Sequence, residues 1–343
     1  MSTPLMHRSR AAGLREPSHS AAPVARPFVA IDVGSASIRV APMGEAVIEE
    51  PSVVATAGEE VVAAGWPAWE EAKARTKEVA LVHPVCGGAP VRRDHYTELI
   101  RQVGDRALRG RSPRTVAISV PLWMGSFEWA EVLACLRAAL PSDDVIPVSV
   151  PTAAALGTQL VPPDGQPQLV IDVGHHLVEA AVLVDGVPIA STSAWTGGAD
   201  AKATLAGHLL GEHGLDPGPR SLGRALRLAS HPSYGNVAVR GVDTTSGQGR
   251  VVLLHSDEVA EVLTAVFDLV ADTGRRALDA TSASVASAAL INGVLLTGGM
   301  ARVHGLRERI ADAVATEVTV VDAPSQSVVR GMHRLRASPG AMA

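Results

Sequence analysis

Two short segments of this chain carry the same residue types at the same spacing. Phe28-Val-Ala-Ile-Asp-Val-Gly-Ser-Ala-Ser-Ile-Arg-Val-Ala41 returns as Leu169-Val-Ile-Asp-Val-Gly-His-His-Leu-Val-Glu-Ala-Ala181, and both contain Ile-Asp-Val-Gly, at 31–34 and 171–174. Each copy is an apolar run, an Asp-x-Gly turn and a second apolar run, which is the pattern of a hairpin. Gly34 and Gly174 let the backbone turn tightly and approach a ligand. Backbone amides in such turns make a concave anion site, lined here by Ser35 and Ala36 in one copy and His175 in the other. Asp32 and Asp172 stand beside the turns with the hard oxygen donors that suit a hydrated Mg²⁺. One such hairpin would be ordinary. Two that share their flanking apolar pattern predict a pair of clamps facing one polyphosphate.

A third segment, Val294-Leu-Leu-Thr-Gly-Gly299, reads as a buried strand ending in two glycines, followed by Met300 and by a helix with Leu306 and Ile310 on one face. Glycines there open the backbone to a flat or anionic group near a helix N-terminus. The pair Gly197–Gly198 belongs to the same set of ligand-contact candidates.

The elements that must hold these turns are legible as apolar stripes. Phe127, Val132, Leu133, Leu136 and Leu140 predict a core-facing helix over 126–140. Residues 257–270 predict one helix capped by Ser256, with Asp257 and Glu258 in its first turn and Val259, Val262, Leu263, Val266 and Val270 on its apolar face. The longest uncharged run, Ala280 to Ala301, is broken by Asn292, Gly293 and Gly298–Gly299, so it reads as a helix end, a strand and a turn rather than a membrane span. Strands alternating with helices argue for the α/β class.

Composition sets the limits. The chain has 343 residues, room for two domains, and 47% of them are hydrophobic but only 3% aromatic, which suits close sheet–helix packing. A net charge of −5 leaves no basic field, which argues against nucleic acid as a partner. Cys86 and Cys135 are too few and too far apart for a zinc site or a disulfide framework, and they point to a reducing compartment. Residues 1–27 lack the apolar core of a signal peptide. They hold Arg8, Arg10, Arg15 and Arg26 against Glu16, a composition expected to be disordered. Such a tail is either a solvated leader or a weak electrostatic contact with an anionic membrane.

In order and spacing these motifs resemble the MreB/Mbl-like bacterial actin homologues of the actin-type ATPase superfamily. The resemblance runs from Phe28 to about Ala337. It is carried by Ala30-Ile-Asp-Val-Gly-Ser-Ala-Ser37, Glu49-Glu-Pro-Ser-Val-Val-Ala55, Arg75-Thr76, Ala117-Ile-Ser-Val-Pro121, Pro151-Thr-Ala-Ala-Ala-Leu-Gly157, Leu296-Thr-Gly-Gly299 and Arg330-Gly331. The last of these stands where the family's final Gly-rich helix begins.

The resemblance implies an actin-like two-domain α/β fold, a duplicated mixed sheet flanked by helices around a central nucleotide cleft. Domain I would span 28–157 and domain II 158–320. Residues 321–336 would return to domain I, leaving tails at 1–27 and 337–343. It further implies ATP or ADP with Mg²⁺ at Asp32 and Asp172. Nucleotide contacts would come from Gly34, Ser35, Ala36, Gly174, His175, Gly197, Gly198, Gly298, Gly299 and Met300. The expected partners are further copies of the chain or a related MreB-type filament, and the cell-wall synthesis machinery. The expected place is the cytoplasm, peripheral at the inner face of the membrane.

The departures point away from turnover. The family's water-orienting Glu-Glu pair is Ser149–Val150 here, and its second-loop threonines are Leu177 and Val178. The third adenosine-motif glycine is Met300, and the family's Lys and Glu have no equivalent around Ser221–Leu228. Hydrolysis needs a group that positions or deprotonates water, so nucleotide binding with little or no hydrolysis is expected. Adjacent residues in an extended turn point apart, so His175 and His176 are read as loop residues filling the γ-phosphate space rather than as a joint metal site. The alternatives are an active ATPase of the actin or DnaK type, or a small-molecule kinase of the same superfamily, for which no catalytic Asp is evident.

Overall fold

The first hairpin pairs Phe28–Val33 with Ser37–Pro42 antiparallel, Val33 facing Ile38. Ile48–Pro51 adds antiparallel on one side, while Thr115–Val120 and Asp144–Ser149 add parallel on the other. The second hairpin pairs Gln168–Val173 with Val178–Val184, Val173 facing Val178. It too is extended by an antiparallel strand, Val187–Ala194, and by two parallel strands, Val294–Thr297 and Val318–Val320. The duplication is therefore a whole five-stranded sheet with one order and one set of directions. The computed structural model describes residues 27–75, 78–158, 160, 162, 165–229 and 235–335.

Both sheets are covered on both faces, which is why their central strands read as continuous apolar runs. Val29, Ile31 and Val33 point into a core shared with the helices Arg93–Leu108 and Ser126–Ala139. Leu169, Ile171 and Val173 point into another, shared with Gly198–His213, Thr264–Asp279 and Leu306–Val314. The opposite faces, including Ala30, Ala117, Val170 and Leu295, meet a third core between the sheets.

Two short helices fill that third core, Val150–Leu156 after the first sheet and Ser327–Arg334 after the second. They cross backbone to backbone. A Cβ on Gly331 would stand 1.7 Å from the Ala153 carbonyl oxygen, and one on Gly157 2.0 Å from that of Ser327. Arg334 Nη1 donates to the carbonyls of Leu156 and Thr158 at 2.9 and 2.8 Å, closing the C-terminus of the first helix. At the start of the second, the Ser327 hydroxyl donates to the Pro324 carbonyl at 3.0 Å and is hydrogen-bonded to the buried Thr297.

Several expectations are corrected. Residues 257–270 belong to two helices, Ser256–Val262 and Thr264–Asp279. The apolar period runs through the break because Val259, Leu263, Phe267 and Val270 all enter one core. The first of these helices is capped by His255, whose ring nitrogen accepts from the Asp257 amide, not by Ser256. Phe127 is exposed: the buried face runs through Val132, Leu136 and Leu140, and Phe127 falls one position out of that phase. The uncharged run holds a complete helix, Ala283–Ile291, and Arg330–Gly331 sit inside the final helix rather than at its start. No described helix is long and apolar enough to cross a membrane, and Cys86 and Cys135 are free thiols. The expectations for the N-terminal tail, Thr76 and the C-terminal tail lie outside the described residues.

Gly331→Ala should destabilise the protein by about 2 kcal/mol or more, because the methyl group has no room and the obstacle is backbone. Gly207→Ala, on an exposed helix position with open space around it, should instead gain roughly 0.5–1 kcal/mol. Urea denaturation of the two variants beside the wild type measures both, and equal midpoints would refute the close crossing.

Candidate functional site

The two hairpin turns face each other across a cleft of about 600 Å³. Asp32, Gly34, Ser35, Ala36, Asp172, Gly174, His175, Gly198, Gly298, Gly299 and Met300 all line it, so sequence reasoning placed these eleven together. Gly197 sits directly behind, where a Cβ would be 2.5 Å from the Gly174 carbonyl oxygen.

The turns share one internal hydrogen bond: the Gly34 amide donates to Ser37 O at 3.1 Å, and the Gly174 amide to Leu177 O at 2.9 Å. Neither glycine has a positive φ; what requires glycine is closeness, since a Cβ on Gly174 would be 2.8 Å from that same oxygen. Outside supports then fix each turn. Ser52 Oγ donates to Gly34 O at 2.6 Å, and Ser35 Oγ accepts from the Gly87 amide at 2.9 Å. The second turn spends its carbonyls on a helix start, Gly174 O accepting from the Gly198 amide and His175 O from the Ala199 amide. Gly298, at φ 93°, lets the third segment press on the second hairpin, and the Met300 amide donates to Val173 O at 3.1 Å.

The charges differ between the copies. Asp32 lies opposite Arg39 in the first hairpin, and Arg39 lies opposite Glu49 on the next strand. The Arg39 guanidinium bridges both carboxylates, at 3.1 Å to Asp32 Oδ2 and 2.9 Å to Glu49 Oε1. Ser119 Oγ donates to the other Asp32 oxygen at 2.8 Å. At the same register of the second hairpin, Asp172 lies opposite Glu179. Two acids therefore stand where the first copy has an ion pair.

Burial, with the Asp32 charge across the cleft, raises the Asp172 carboxyl to about 7. Burial, with the neighbouring Asp172, raises Glu179 to about 8, against the pull of the Leu122 amide that donates to it at 2.5 Å. The expectation that Asp32 and Asp172 hold Mg²⁺ is not met by this donor set. One Asp32 oxygen is bound by the Arg39 guanidinium and the other by the Ser119 hydroxyl, and burial favours the neutral form of Asp172.

His175 and His176 do not point apart: their ring centroids are 4.5 Å apart, tilted by 49°. Burial and the nearby Lys202 charge hold His175 down at about 3, so it lines the cleft as a neutral ring. Ser149 is used structurally, capping the helix Val150–Leu156 by accepting from the Thr152 amide and donating to Thr152 Oγ1 at 2.6 Å. Val150 and Leu177 present hydrocarbon to the cleft, and Val178 is wholly buried in the second sheet.

A family model described as MreB/Mbl protein matches residues 26–342. This chain belongs to the MreB/Mbl family. The cell shape-determining protein MreB of Escherichia coli K12 is 25% identical over 318 residues, covering 88% of this MreB-family chain and 91% of the relative. The protein Mbl of Bacillus subtilis is 25% identical over 187 residues, 53% of this chain and 56% of that one. Among solved structures, MreB5 of Spiroplasma citri bound to ADP superposes with a TM-score of 0.82 at 19% identity, over 92% of this chain and 97% of the other. The MamK double helical filament follows at 0.75 and 17%, over 91% and 99%. The actin-like fold expected from sequence is therefore the fold of this MreB-family chain.

Sequence reasoning missed Arg39, Glu179, Lys202 and Arg302, all of which line the cleft. Arg39 and Glu179 had a signal. Each is the seventh residue after the Asp of its own repeat, and that offset is the cross-strand partner of the Asp in both hairpins. Lys202 and Arg302 come from a helix and a loop with no such register.

Glu179 gives a pH test. Folded, it stays protonated up to about pH 8; unfolded, it ionises near its ordinary 4.5. The fold therefore binds the extra proton, and stability falls as pH rises from about 4.5 to about 8. Asp172, raised to about 7, adds a fall of the same sign, so Glu179→Gln should lessen the slope rather than abolish it, leaving melting temperature little changed at acid pH and raised at pH ~8.5, by a free energy on the order of a few kcal/mol. An equal shift at both ends of the range would show that the buried proton is not the cause.

Proposed function

We propose that this chain is a cytoskeletal subunit of the cell-shape type that holds an adenine nucleotide between its two hairpins and hydrolyses it little or not at all. The observation that carries the reading is the cleft itself. Its clamping turns are intact and buttressed, while Val150 and Leu177 face it with hydrocarbon and Ser149 is committed to a helix cap. The relatives support it: E. coli MreB is named a cell shape-determining protein, MreB5 was solved with ADP and with AMPPNP, and MamK is a double helical filament. The apolar wall around Leu226, Met300, Val303 and Val328 suits the flat base, and the turns suit its phosphates.

The polymer would be made of this chain, alone or with a related MreB-type subunit. We place its domains at 28–157 and 158–320, with 321–336 returning to the first. The basic residues before Phe28 would add loose contact with anionic lipid at the inner membrane face, near the cell-wall machinery. Flotation with anionic vesicles should fall when residues 1–27 are deleted and when salt is raised, at an upper guide of roughly 1 kcal/mol per arginine. Equal flotation with and without the segment would dismiss that contact.

Sedimentation of the purified protein with ATP should give polymer, whereas phosphate release should stay about 10²–10⁴ below that of a relative with acid–base help in place. The variant Ser149→Glu, Val150→Glu, Leu177→Thr, Val178→Thr should release more phosphate than the wild type, and any one change alone much less; of the four, Val150 and Leu177 line the cleft, so single changes at Ser149 or Val178 should do least. Rapid wild-type turnover would make the chain an active ATPase. His175→Ala and His176→Ala would then show whether either ring had taken over the chemistry.

A further inference from the structure

The row Asp32–Arg39–Glu49 crosses three neighbouring strands in register, minus, plus, minus, at the mouth of the first turn. Its central guanidinium is almost enclosed, with 12% of the side chain exposed. One amino group is bound to Asp32 and the other to Glu49, while the Ser119 hydroxyl covers the remaining Asp32 oxygen. The Arg39 Nε–H is buried and has no acceptor among the described residues. A buried donor of a charged group without an acceptor is costly, and the protein offers none here. Arg39 and Asp32 both line the cleft, as do Lys202 and Arg302 from the opposite side.

A divalent cation between carboxylates and phosphates does two things: it cancels the repulsion of the acids, and it presents positive charge to the phosphate oxygens. Arg39 already does the first by its two short contacts. Arg39 also lines the cleft, and its guanidinium is a planar group suited to phosphate oxygens, which supplies the second. A dication placed on Asp32 would have to displace that guanidinium or bear its repulsion at close range.

We propose that Arg39 takes the place of a divalent cation, so that this chain binds a nucleoside di- or triphosphate without Mg²⁺. The proposal rests on the cleft being a nucleotide site, as argued above, and adds how the phosphates are neutralised there. It departs from the Mg²⁺-dependent binding expected from sequence. The residues responsible are Arg39 first, with Lys202 and Arg302 as more distant positive charge.

Titration calorimetry of the full chain with ADP and with ATP, in EDTA and in Mg²⁺, tests it. The dissociation constant should change by less than about threefold between the two conditions. Arg39→Ala should lose about tenfold or more in EDTA, as expected for one charge-assisted contact, with part of the loss restored by Mg²⁺. Because that variant breaks a partly buried ion pair, Asp32→Asn gives the cleaner reading. It keeps the shape, and with its amide oxygen toward Arg39 and its amide nitrogen donating to Ser119 Oγ it leaves the guanidinium in place. Asp32→Asn should bind at least as tightly as the wild type in EDTA and in Mg²⁺ alike; loss confined to the Mg²⁺ condition would mark Asp32 as a metal ligand, and loss in EDTA would overturn the role given to Arg39. Binding seen only with Mg²⁺ and abolished in Asp32→Asn overturns the inference and leaves the nucleotide reading standing. No heat and no change in melting temperature under either condition overturns the nucleotide reading, and the inference with it.

Discussion

The rest of the molecule depends on the contact between two backbones. The helices Val150–Leu156 and Ser327–Arg334 each follow a five-stranded sheet, and they are the material that fills the space between the sheets. Their closeness is set by Gly157 and Gly331, neither of which could carry a methyl group without striking a carbonyl. Small side chains line the rest of the joint, with Ala153, Ala154 and Ala155 from one helix against Val328, Val329 and Met332 from the other. The cleft is the open end of the same joint. At its wall the halves meet again, where Glu179 of the second hairpin accepts from the Leu122 amide, and Trp195 meets Trp123 edge-on at a centroid distance of 5.0 Å.

Within that frame, the duplicated hairpins keep one backbone and diverge in charge. A ladder position is geometrically fixed, so the residue seven places after the Asp always faces it across the strands. Arg at that place yields an ion pair, whereas Glu yields two acids competing to stay protonated. The second arrangement is tolerated because Glu179 is also tied to the Leu122 amide and, at 3.5 Å, to the Ser193 hydroxyl. A polar group that costs stability is thus spent on joining the two halves.

The sequence made the turns legible because their chemistry is local: Asp-x-Gly, the flanking apolar strands and the Gly298–Gly299 pair are each read from a few neighbours. The extent of the duplication was not local. Thr115–Val120 and Val294–Thr297 occupy equivalent places in the two sheets, yet nothing in their own residues says so. Periodicity failed at Leu263 because a break between helices leaves the buried face continuous. It failed at His175–His176 because alternation holds for strands, and these two residues sit in a turn. The electrostatics were the least legible part. The type and place of Asp32 suggest a metal ligand, whereas its ion pair with Arg39 is visible only when the register of the hairpin is known.

These constraints bear on what an adenine nucleotide would do in such a cleft. A ligand that binds only the folded, closed arrangement stabilises it by RT ln(1 + [L]/Kd), about 2.7 kcal/mol at a hundredfold excess over Kd. In an enzyme that turns over, the stabilisation is lost and regained with every cycle. In the proposed reading, Val150 and Leu177 keep the water-positioning chemistry out, and the nucleotide stays. It then acts as a further contact between the hairpins, in series with the glycine crossing and the Glu179–Leu122 bond. Loss of catalysis with retention of the clamp is physically coherent in that reading: the residues that hold the turns also hold the fold, and so do those at the water-orienting positions, with Val150 in the core between the sheets and Val178 in the core of the second sheet. Ser149 illustrates the point, since its place in the chain is now occupied by a helix cap that the joint between the sheets requires.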